Sequence, residues 1–473
     1  MIYRPAARRL TPGNAVAVGL VVVLCGLALL VLSARLGLIL ALLASLMAPV
    51  LAGALILALT VRRPVATAAA FVGLVPVNRF LIMLVYHFSH STSLTKGVEL
   101  WKDALLIALV IKVVLDLLFK PNHNRRLRAM DLLVLLFLGV SLIYIFYGGP
   151  LHLDPFTRLQ GFRADSEFML AYWVGRGLHL NRRQLRLILL AIVPGCVPSA
   201  AVAVMQFIAP GPLNAFFSGL GYYQFVAFSG NTGDPVAVRF RDIPGAETLP
   251  RASSLQLGDL ALAFFQLLTV SLAAALFSLS RRARERIAWG LFLAIMIATL
   301  VLTLTRSAIA GGLVSVVAIV VAARSFFPNG VLALIMGGAA AALIIAGLIK
   351  LSTLGPLTSF SDASSIGHSL AFTSSVQLLQ QAPLGRGLGT GGSVGQTLVR
   401  SAAITNESWY LQIGTEMGVI GMASYALLVV AATAAGFRQF FRVQDPWLRV
   451  LCLTVGATGL AFLIVGNFLH AWE

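Results

Sequence analysis

Residues 405–421 read TNESWYLQIGTEMGVIG, a polar segment that runs directly into an apolar helix. Apolar residues continue behind it to Ala435, so the pattern predicts a membrane span near 408–433 with a carboxylate, Glu407, at its mouth. A glutamate in this place has two explanations. It stabilises the start of the helix through the positive end of the helix dipole, or it serves as a catalytic base.

The composition of the whole chain is that of a membrane protein. Hydrophobic residues make up 59% and charged residues 11%, against roughly 25% charged residues in soluble domains. Apolar runs of about 20 residues recur along the chain, which is the length that a helix needs to cross the hydrocarbon. We therefore predict an all-α integral membrane protein with about 12 to 13 transmembrane helices, residues 1–473 forming a single integral membrane domain.

The formal net charge of +18 reports topology rather than nucleic-acid binding. More than half of the Lys and Arg residues fall in the short loops that lie on one side when the N-terminus is placed in the cytoplasm. Basic residues are normally retained on the cytoplasmic side. The pattern predicts a multi-pass protein with a cytoplasmic N-terminus.

Long segments lie on the opposite, outer side. Segments 208–252 and 350–407 run far beyond the usual connection of about 4 to 6 residues. Connections of this length are typically functional loops or caps. We expect a large periplasmic loop region with short helices of its own.

Arginines are frequent on this outer side, against the topological trend. Guanidinium groups bind phosphate through paired hydrogen bonds, so the pattern favours an anionic ligand on that face. The candidate arginines are Arg158, Arg163, Arg239, Arg241, Arg251, Arg306, Arg386 and Arg400.

Two of these arginines stand at the ends of apolar runs and allow two interpretations each. Arg306, in TLTRSAIAGG, either reaches the lipid headgroups or binds a ligand. Arg251 opens the stretch PRASSLQLGD, in which Asp259 is either its structural partner or part of a functional site. His368 lies in the large outer loop without an acidic cluster beside it, so no metal ion is expected.

The stretch GRGLGTGG at 385–392 contains the letters of a GxGxxG motif. No predicted strand precedes it and no acidic residue follows at the required distance, which argues against dinucleotide binding. We interpret it as a glycine-rich turn that lets the backbone approach another group closely. Glu416, nine residues after Glu407, is interpreted as a structural anchor.

Three stretches together resemble a known family: TLTRSAIAGG, HSLAFTSSVQLLQQAPLGRGLGTGG and NESWYLQIGTEMGVIG. Their order and spacing over residues 250–421 are similar to the shared core of the O-antigen ligase and O-antigen polymerase family. The resemblance implies a metal-independent, inverting glycosyltransferase of the bacterial inner membrane. Such enzymes act on undecaprenyl-diphosphate-linked glycans at the periplasmic face and need no cofactor.

By this resemblance, Arg306 and Arg251 hold the diphosphate and Glu407 occupies the catalytic position. The ligase pattern has a histidine eleven residues before the first glycine of a GxxG, and counting back from Gly418 gives Glu407. Either side chain serves as a general base when its pKa is suitable. The replacement favours the O-antigen or exopolysaccharide polymerase branch.

The expected partners are the lipid-linked glycan donor, an acceptor glycan (lipid-linked, or lipid A-core), and membrane lipids, but no nucleic acid. Ligation to lipid A-core and protein O-glycosylation remain open as alternatives within the enzyme class. A transporter of an anionic lipid or solute is the alternative of another class. It predicts two related halves with interrupted helices, and the sequence shows no such duplication.

Overall fold

The computed structural model describes residues 54–119, 127–228, 237–241, 249–324, 363–399, 404 and 408–466. Glu407 and Arg400 lie outside these residues. Within them the chain is almost entirely helical, which confirms the all-α fold. A two-stranded antiparallel sheet pairs β1 (Arg239–Arg241) with β2 (Leu249–Arg251), with Arg239 opposite Arg251.

The helices are α1 (Pro64–Leu74), α2 (Asn78–Ser89), α3 (Thr92–Glu99), α4 (Trp101–Phe119), α5 (Ala129–Phe146), α6 (Pro155–Ser166), α7 (Leu170–Gly177), α8 (Arg182–Leu190), α9 (Val193–Ile208), α10 (Pro210–Gly219), α11 (Tyr222–Phe228), α12 (Asp259–Leu279), α13 (Ala283–Leu302), α14 (Arg306–Ala323), α15 (Ala363–Gln381), α16 (Trp409–Arg442) and α17 (Pro446–Val465).

Eight candidate membrane spans occur in the described part of the chain, each long and apolar enough to cross a bilayer. This confirms a multi-pass helical membrane protein. The total of about 12 to 13 spans stays a prediction, because several of the predicted spans lie outside the described residues. The spans are Pro64–Ser89, Ala129–Phe146, Arg182–Ile208, Asp259–Leu279, Ala283–Leu302, Arg306–Ala323, Trp409–Arg442 and Pro446–Val465.

The chain divides into two compact units, and the smaller contains residues 1–75, 85–123 and 173–195. In it, α1 packs against α4 and α8. Gly73 permits the contact with α8, because a Cβ at this position would lie 2.8 Å from the Ala191 carbonyl oxygen.

The larger unit contains residues 76–84, 124–172 and 196–473, with α12 at its centre. Nearly every residue of α12 after its first turn is buried, and the helix packs against α13, α14 and α17. Small residues let these helices approach closely, as is common in membranes. A Cβ at Gly311 of α14 would lie only 2.4 Å from the Val465 side chain of α17.

Helix α16 is a hairpin rather than a single rod. Its 34 residues would extend about 51 Å as one helix, well beyond the bilayer's hydrocarbon of about 30 Å. Gly418 interrupts it with φ 68° and ψ −174°. The rings of Trp409 and Tyr425 then lie 6.4 Å apart, although sixteen residues of straight helix would separate them by about 24 Å.

The chain therefore reverses at Gly418, and we call residues 409–442 the helical hairpin. Its short arm is 409–417 and its long arm is 419–442. The structure differs here from the predicted span near 408–433, because the long arm alone has the length needed to cross a bilayer, about 36 Å. The arms pack closely at Gly414, since a Cβ there would lie 3.2 Å from the Met422 sulfur.

Candidate functional site

Arg251 stands at the centre of a cluster between β2 and the α13–α14 connection. Its Nε donates to the Thr303 carbonyl at 3.0 Å, and its Nη2 donates to the Thr305 hydroxyl at 3.2 Å. Nη2 also forms an ion pair with the carboxylate of Asp259, whose side chain is 1% exposed. The ion pair between Arg251 and Asp259 that the sequence suggested is present, and whether it also serves a ligand stays a prediction.

These contacts fix the short connection that presents Arg306, the first residue of α14. Thr303 is the C-cap of α13 and Thr305 is the N-cap of α14. Leu304 between them has φ 51°, a left-handed conformation that is uncommon for a branched side chain. The contacts of Arg251 with Thr303 and Thr305, on either side of Leu304, offset the cost of this conformation. We call residues 302–306 the arginine turn.

The arginine turn brings the two predicted diphosphate ligands together. Arg251 bonds to Thr305, and Arg306 is the next residue in the chain. Arg306 is half-buried, and the side chain of Arg251 is 21% exposed. Asp259 offsets part of the charge of Arg251, and Arg306 adds a further guanidinium group to this end of the bundle.

The base of the helical hairpin is fixed at the same end. Ser408 is the N-cap of α16, and its hydroxyl accepts from the Leu411 backbone N–H at 3.4 Å. That hydroxyl and the Trp409 backbone N–H both donate to the carbonyl of Gly466, which closes α17, at 3.1 and 2.8 Å. Because α17 packs on α14 there, the residue after Glu407 lies at the bundle end that carries the arginine turn.

The contacts of Ser408 are relevant to the first explanation of Glu407, namely that it stabilises the start of the helix. The Trp409 backbone N–H donates to the Gly466 carbonyl at 2.8 Å, and the Ser408 hydroxyl supplies the capping acceptor. The N–H groups of Trp409 and Leu411 at the start of the helix are therefore bonded without Glu407. The position of Glu407 itself is outside the described residues, and its catalytic role stays a prediction.

Glu416 lies near the tip of the helical hairpin and has a different role. Its carboxylate is 1% exposed and accepts two backbone N–H groups, from Gly389 at 2.9 Å and from Gly391 at 2.6 Å. The Gly387 N–H donates to its backbone carbonyl at 3.0 Å. Bonds from N–H groups to a carboxylate are stronger than those between neutral groups. Glu416 thus anchors the glycine-rich segment, which we call the glycine loop, residues 383–391.

The glycine loop approaches the protein's own backbone, which explains its composition. At the tip of the hairpin, the Val419 N–H donates to the Pro383 carbonyl at 2.9 Å, and a Cβ at Gly418 would lie 2.5 Å from the same oxygen. A Cβ at Gly385 would lie 2.5 Å from the Glu416 carbonyl oxygen. On the other side of the loop, a Cβ at Gly161 of α6 would lie 2.2 Å from the Gly389 nitrogen.

Helix α6 carries two further candidate arginines, and both have structural contacts. The Nη1 of Arg158 donates to the Ile145 carbonyl at the end of α5, at 2.6 Å. Arg163 lies 3.7 Å from the carboxylate of Glu167. At the N-cap of α6, hydrogen bonds from the Thr157 hydroxyl and backbone hold the pKa of Asp154 below its usual range.

The remaining candidates are spread over other elements. Arg386 belongs to the glycine loop, where its backbone N–H donates to the Thr415 carbonyl at 2.8 Å. Arg239 and Arg241 lie on β1, and His368 lies on α15. Within the described residues, the structure groups Arg251, Asp259 and Arg306 around one turn, with Arg239 opposite Arg251 on the neighbouring strand, and it places Arg158, Arg163 and Arg386 on other elements.

Sequence reasoning missed the residues that hold the site in place. Thr303 and Thr305 receive the Arg251 guanidinium, and Ser408 caps the hairpin. The threonines flanking Leu304 in TLTRS were a usable signal, because hydroxyl residues beside a helix start are typical caps. The reversal at Gly418 had a weaker signal, namely an apolar helix too long for one bilayer crossing.

Comparison with known proteins adds no family assignment. No protein-family model matches the chain, and no curated protein matches it significantly.

Proposed function

We propose that the protein is a glycosyltransferase of the bacterial inner membrane that uses an undecaprenyl-diphosphate-linked glycan as donor. It works at the periplasmic face and polymerises repeat units, as an O-antigen or exopolysaccharide polymerase does. The observation that carries this proposal is the grouping at one bundle end of Arg251, Arg306 and Ser408, the residue next to Glu407. These positions are more than 150 residues apart in sequence at their extremes, yet the fold gathers them.

The proposed reaction needs a base and a site for a developing negative charge. Glu407 takes the proton of an acceptor hydroxyl while that oxygen forms a bond to the anomeric carbon of the donor sugar. The bond from the anomeric carbon to the lipid diphosphate breaks, and the diphosphate leaves with the electron pair. Attack from the side opposite the leaving group inverts the anomeric centre.

Arg306 and Arg251 stabilise the departing diphosphate in this proposal. Their guanidinium groups supply the positive charge, so the reaction needs no metal ion. Arg251 has a second task, since its contacts with Thr303 and Thr305 set the backbone from which Arg306 projects. The fixed turn supports catalysis because charges held in place before the reaction need no reorganisation during it.

The spacing of the motif has a physical explanation in the helical hairpin. Gly418 follows Glu407 by eleven positions, and the short arm 409–417 fills nearly all of that interval. At 1.5 Å per residue the arm is about 13 Å long. Its length sets the distance between the proposed base, beside Ser408, and the tip of the hairpin, where the glycine loop is held.

The test is a glycan ladder assay in cells that lack the endogenous gene, with the variants Glu407→Gln and Arg306→Ala. Each variant is expected to lower polymerisation about 100-fold, the typical cost of losing one such group. Arg282→Gln is the matched control, because Arg282 lies at the other end of the bundle, 84% exposed, in an ion pair with Glu285. Full activity in both test variants, at normal protein levels, would refute the proposal.

The acceptor is settled by the same assay with purified components. A polymerase lengthens the lipid-linked glycan, a ligase labels lipid A-core, and a protein O-oligosaccharyltransferase labels a protein hydroxyl. We expect only lipid-linked chains to grow, and we expect chelation of divalent metal ions to leave the rate unchanged.

A further inference from the structure

An apolar groove of about 760 Å³ lies at the end of the larger unit that is far from the arginine turn. Helix α14 and the long arm of the helical hairpin form its walls, and Leu460 of α17 lies between them. Val317, Val321, Phe437 and Phe441 contribute to the walls, and among the described residues that line the groove Arg324 is the single charged one.

The depth of the groove matches one leaflet of a bilayer. It extends along α14 from Leu313 to Arg324, a rise of about 16 Å along the helix. Half of a hydrocarbon core of about 30 Å is about 15 Å. The side chains of Leu313, Val317 and Val321 are 65%, 51% and 53% exposed, so the groove is open along its length. An extended acyl chain fits both its depth and its chemistry.

Three exposed arginines lie near the ends of the two helices that form the groove. Arg324 is a lining residue and the C-cap of α14, and Arg438 and Arg442 each follow a lining residue, Phe437 or Phe441, by one position near the end of the long arm. Within the described part of the chain, none of the three guanidinium groups has an ion pair or a hydrogen bond. Asp445, the acidic residue nearest in sequence, caps α17 through the Trp447 and Leu448 N–H groups at 2.8 and 3.1 Å.

From this arrangement we infer that the groove binds an anionic phospholipid. One acyl chain fills the apolar groove, and the phosphate group lies among Arg324, Arg438 and Arg442. Basic pockets at the ends of membrane helices recognise anionic headgroups in this way. By the positive-inside rule, the basic loops predict that this end of the bundle lies in the cytoplasmic leaflet. The site is independent of the proposed glycosyltransferase function.

Native mass spectrometry of the purified protein tests the site, with phosphatidylglycerol and phosphatidylcholine of identical acyl chains as probes. The wild type should retain phosphatidylglycerol preferentially. In the triple variant R324Q/R438Q/R442Q the preference should fall at least tenfold, since each basic residue near an anionic surface contributes about fivefold. Arg282→Gln is the control, because Arg282 is an exposed arginine at the same bundle end, outside the groove.

A second variant distinguishes the contribution of the apolar groove to lipid binding from that of the three arginines. Val317→Trp fills an exposed part of the groove and leaves all three arginines in place, so retention of phosphatidylglycerol should fall to that of the triple variant. Val321→Trp replaces it if the first variant unfolds at a lower temperature than the wild type. Equal retention of the two lipids by the wild type overturns the inference. Undiminished binding by the filled variant overturns it as well. So does a wild type that binds neither lipid, because another segment or a second copy then covers the groove.

Discussion

The arginine turn and the tip of the helical hairpin each depend on one charged side chain that bonds to backbone groups, but the two side chains differ in exposure. Arg251 is 21% exposed and shares its donors between Thr303, Thr305 and the buried Asp259. Glu416 is 1% exposed, and its two carboxylate oxygens accept the N–H groups of Gly389 and Gly391. The enclosed carboxylate of Glu416, bonded to backbone N–H groups, acts as an anchor, whereas the partial exposure of Arg251 beside Arg306 is what the proposed ligand-binding role requires.

The same contrast separates two glutamates nine residues apart. Glu416 and the residue next to Glu407, Ser408, lie at opposite ends of the short arm. Ser408 lies at the bundle end that carries the arginine turn, and Glu416 lies beside the glycine loop. Substitutions in the two regions should therefore differ in kind, with stability affected at the tip and activity affected at the turn.

The largest effect on stability is expected for Gly418→Ala. The backbone at Gly418 has φ 68° and ψ −174°, a conformation that is essentially restricted to glycine, and the new Cβ would meet the Pro383 carbonyl at 2.5 Å. We expect a loss of about 3 kcal/mol in the free energy of unfolding, the upper end of the usual cost of such a conformation, because the close contact adds to it. Thermal unfolding of the purified protein measures it.

Gly367→Ala is the matched control for that substitution. Gly367 lies in α15, is exposed, and has no atom within 4 Å of an added Cβ. Alanine favours a helix over glycine, so this variant should be at least as stable as the wild type. Equal stability of the Gly418 and Gly367 variants would contradict the reversal of the chain at Gly418.

A smaller loss is expected for Glu416→Gln. The amide retains one acceptor oxygen and presents its NH₂ group to the other glycine N–H, so one buried donor loses its partner. We expect a cost of about 2 to 3 kcal/mol in the free energy of unfolding. Glu285→Gln serves as the comparison, because that carboxylate is 51% exposed and its removal should change little. An unchanged unfolding temperature for Glu416→Gln would show that the carboxylate is not the anchor.

The smallest change in stability is expected at the arginine turn, from Asp259→Asn. Asparagine still accepts a hydrogen bond from Arg251, and the partial exposure of that arginine screens the lost charge, so the cost should be about 1 to 2 kcal/mol. The proposed polymerisation activity should fall even under conditions in which the variant stays folded, because the turn that presents Arg306 loosens. The ladder assay and thermal unfolding of the same preparation separate the two effects. A variant that loses stability but keeps full activity would assign Asp259 a structural role alone.

Part of the candidate site was predictable because it depends on local chemistry. Arg251, Asp259 and Arg306 are charged residues at the ends of apolar runs, where an ion is costly unless it is paired or used. The glycine-rich stretch 385–392 indicated a close backbone approach without showing what it approached. Only the fold showed that the group is the helical hairpin, with Glu416 as the contact.

The sequence by itself determined that this protein lies in a lipid bilayer and that its secondary structure is helical. An apolar run in a bilayer must satisfy its backbone groups internally, so long hydrophobic segments become helices whatever their neighbours are. The tertiary structure decided which distant residues come into contact. Thr303, Thr305 and Arg251 are brought together by packing between β2 and two helices, and the reversal at Gly418 depends on the glycine loop held against it. Such contacts join positions tens of residues apart, and helical periodicity carries no information about them.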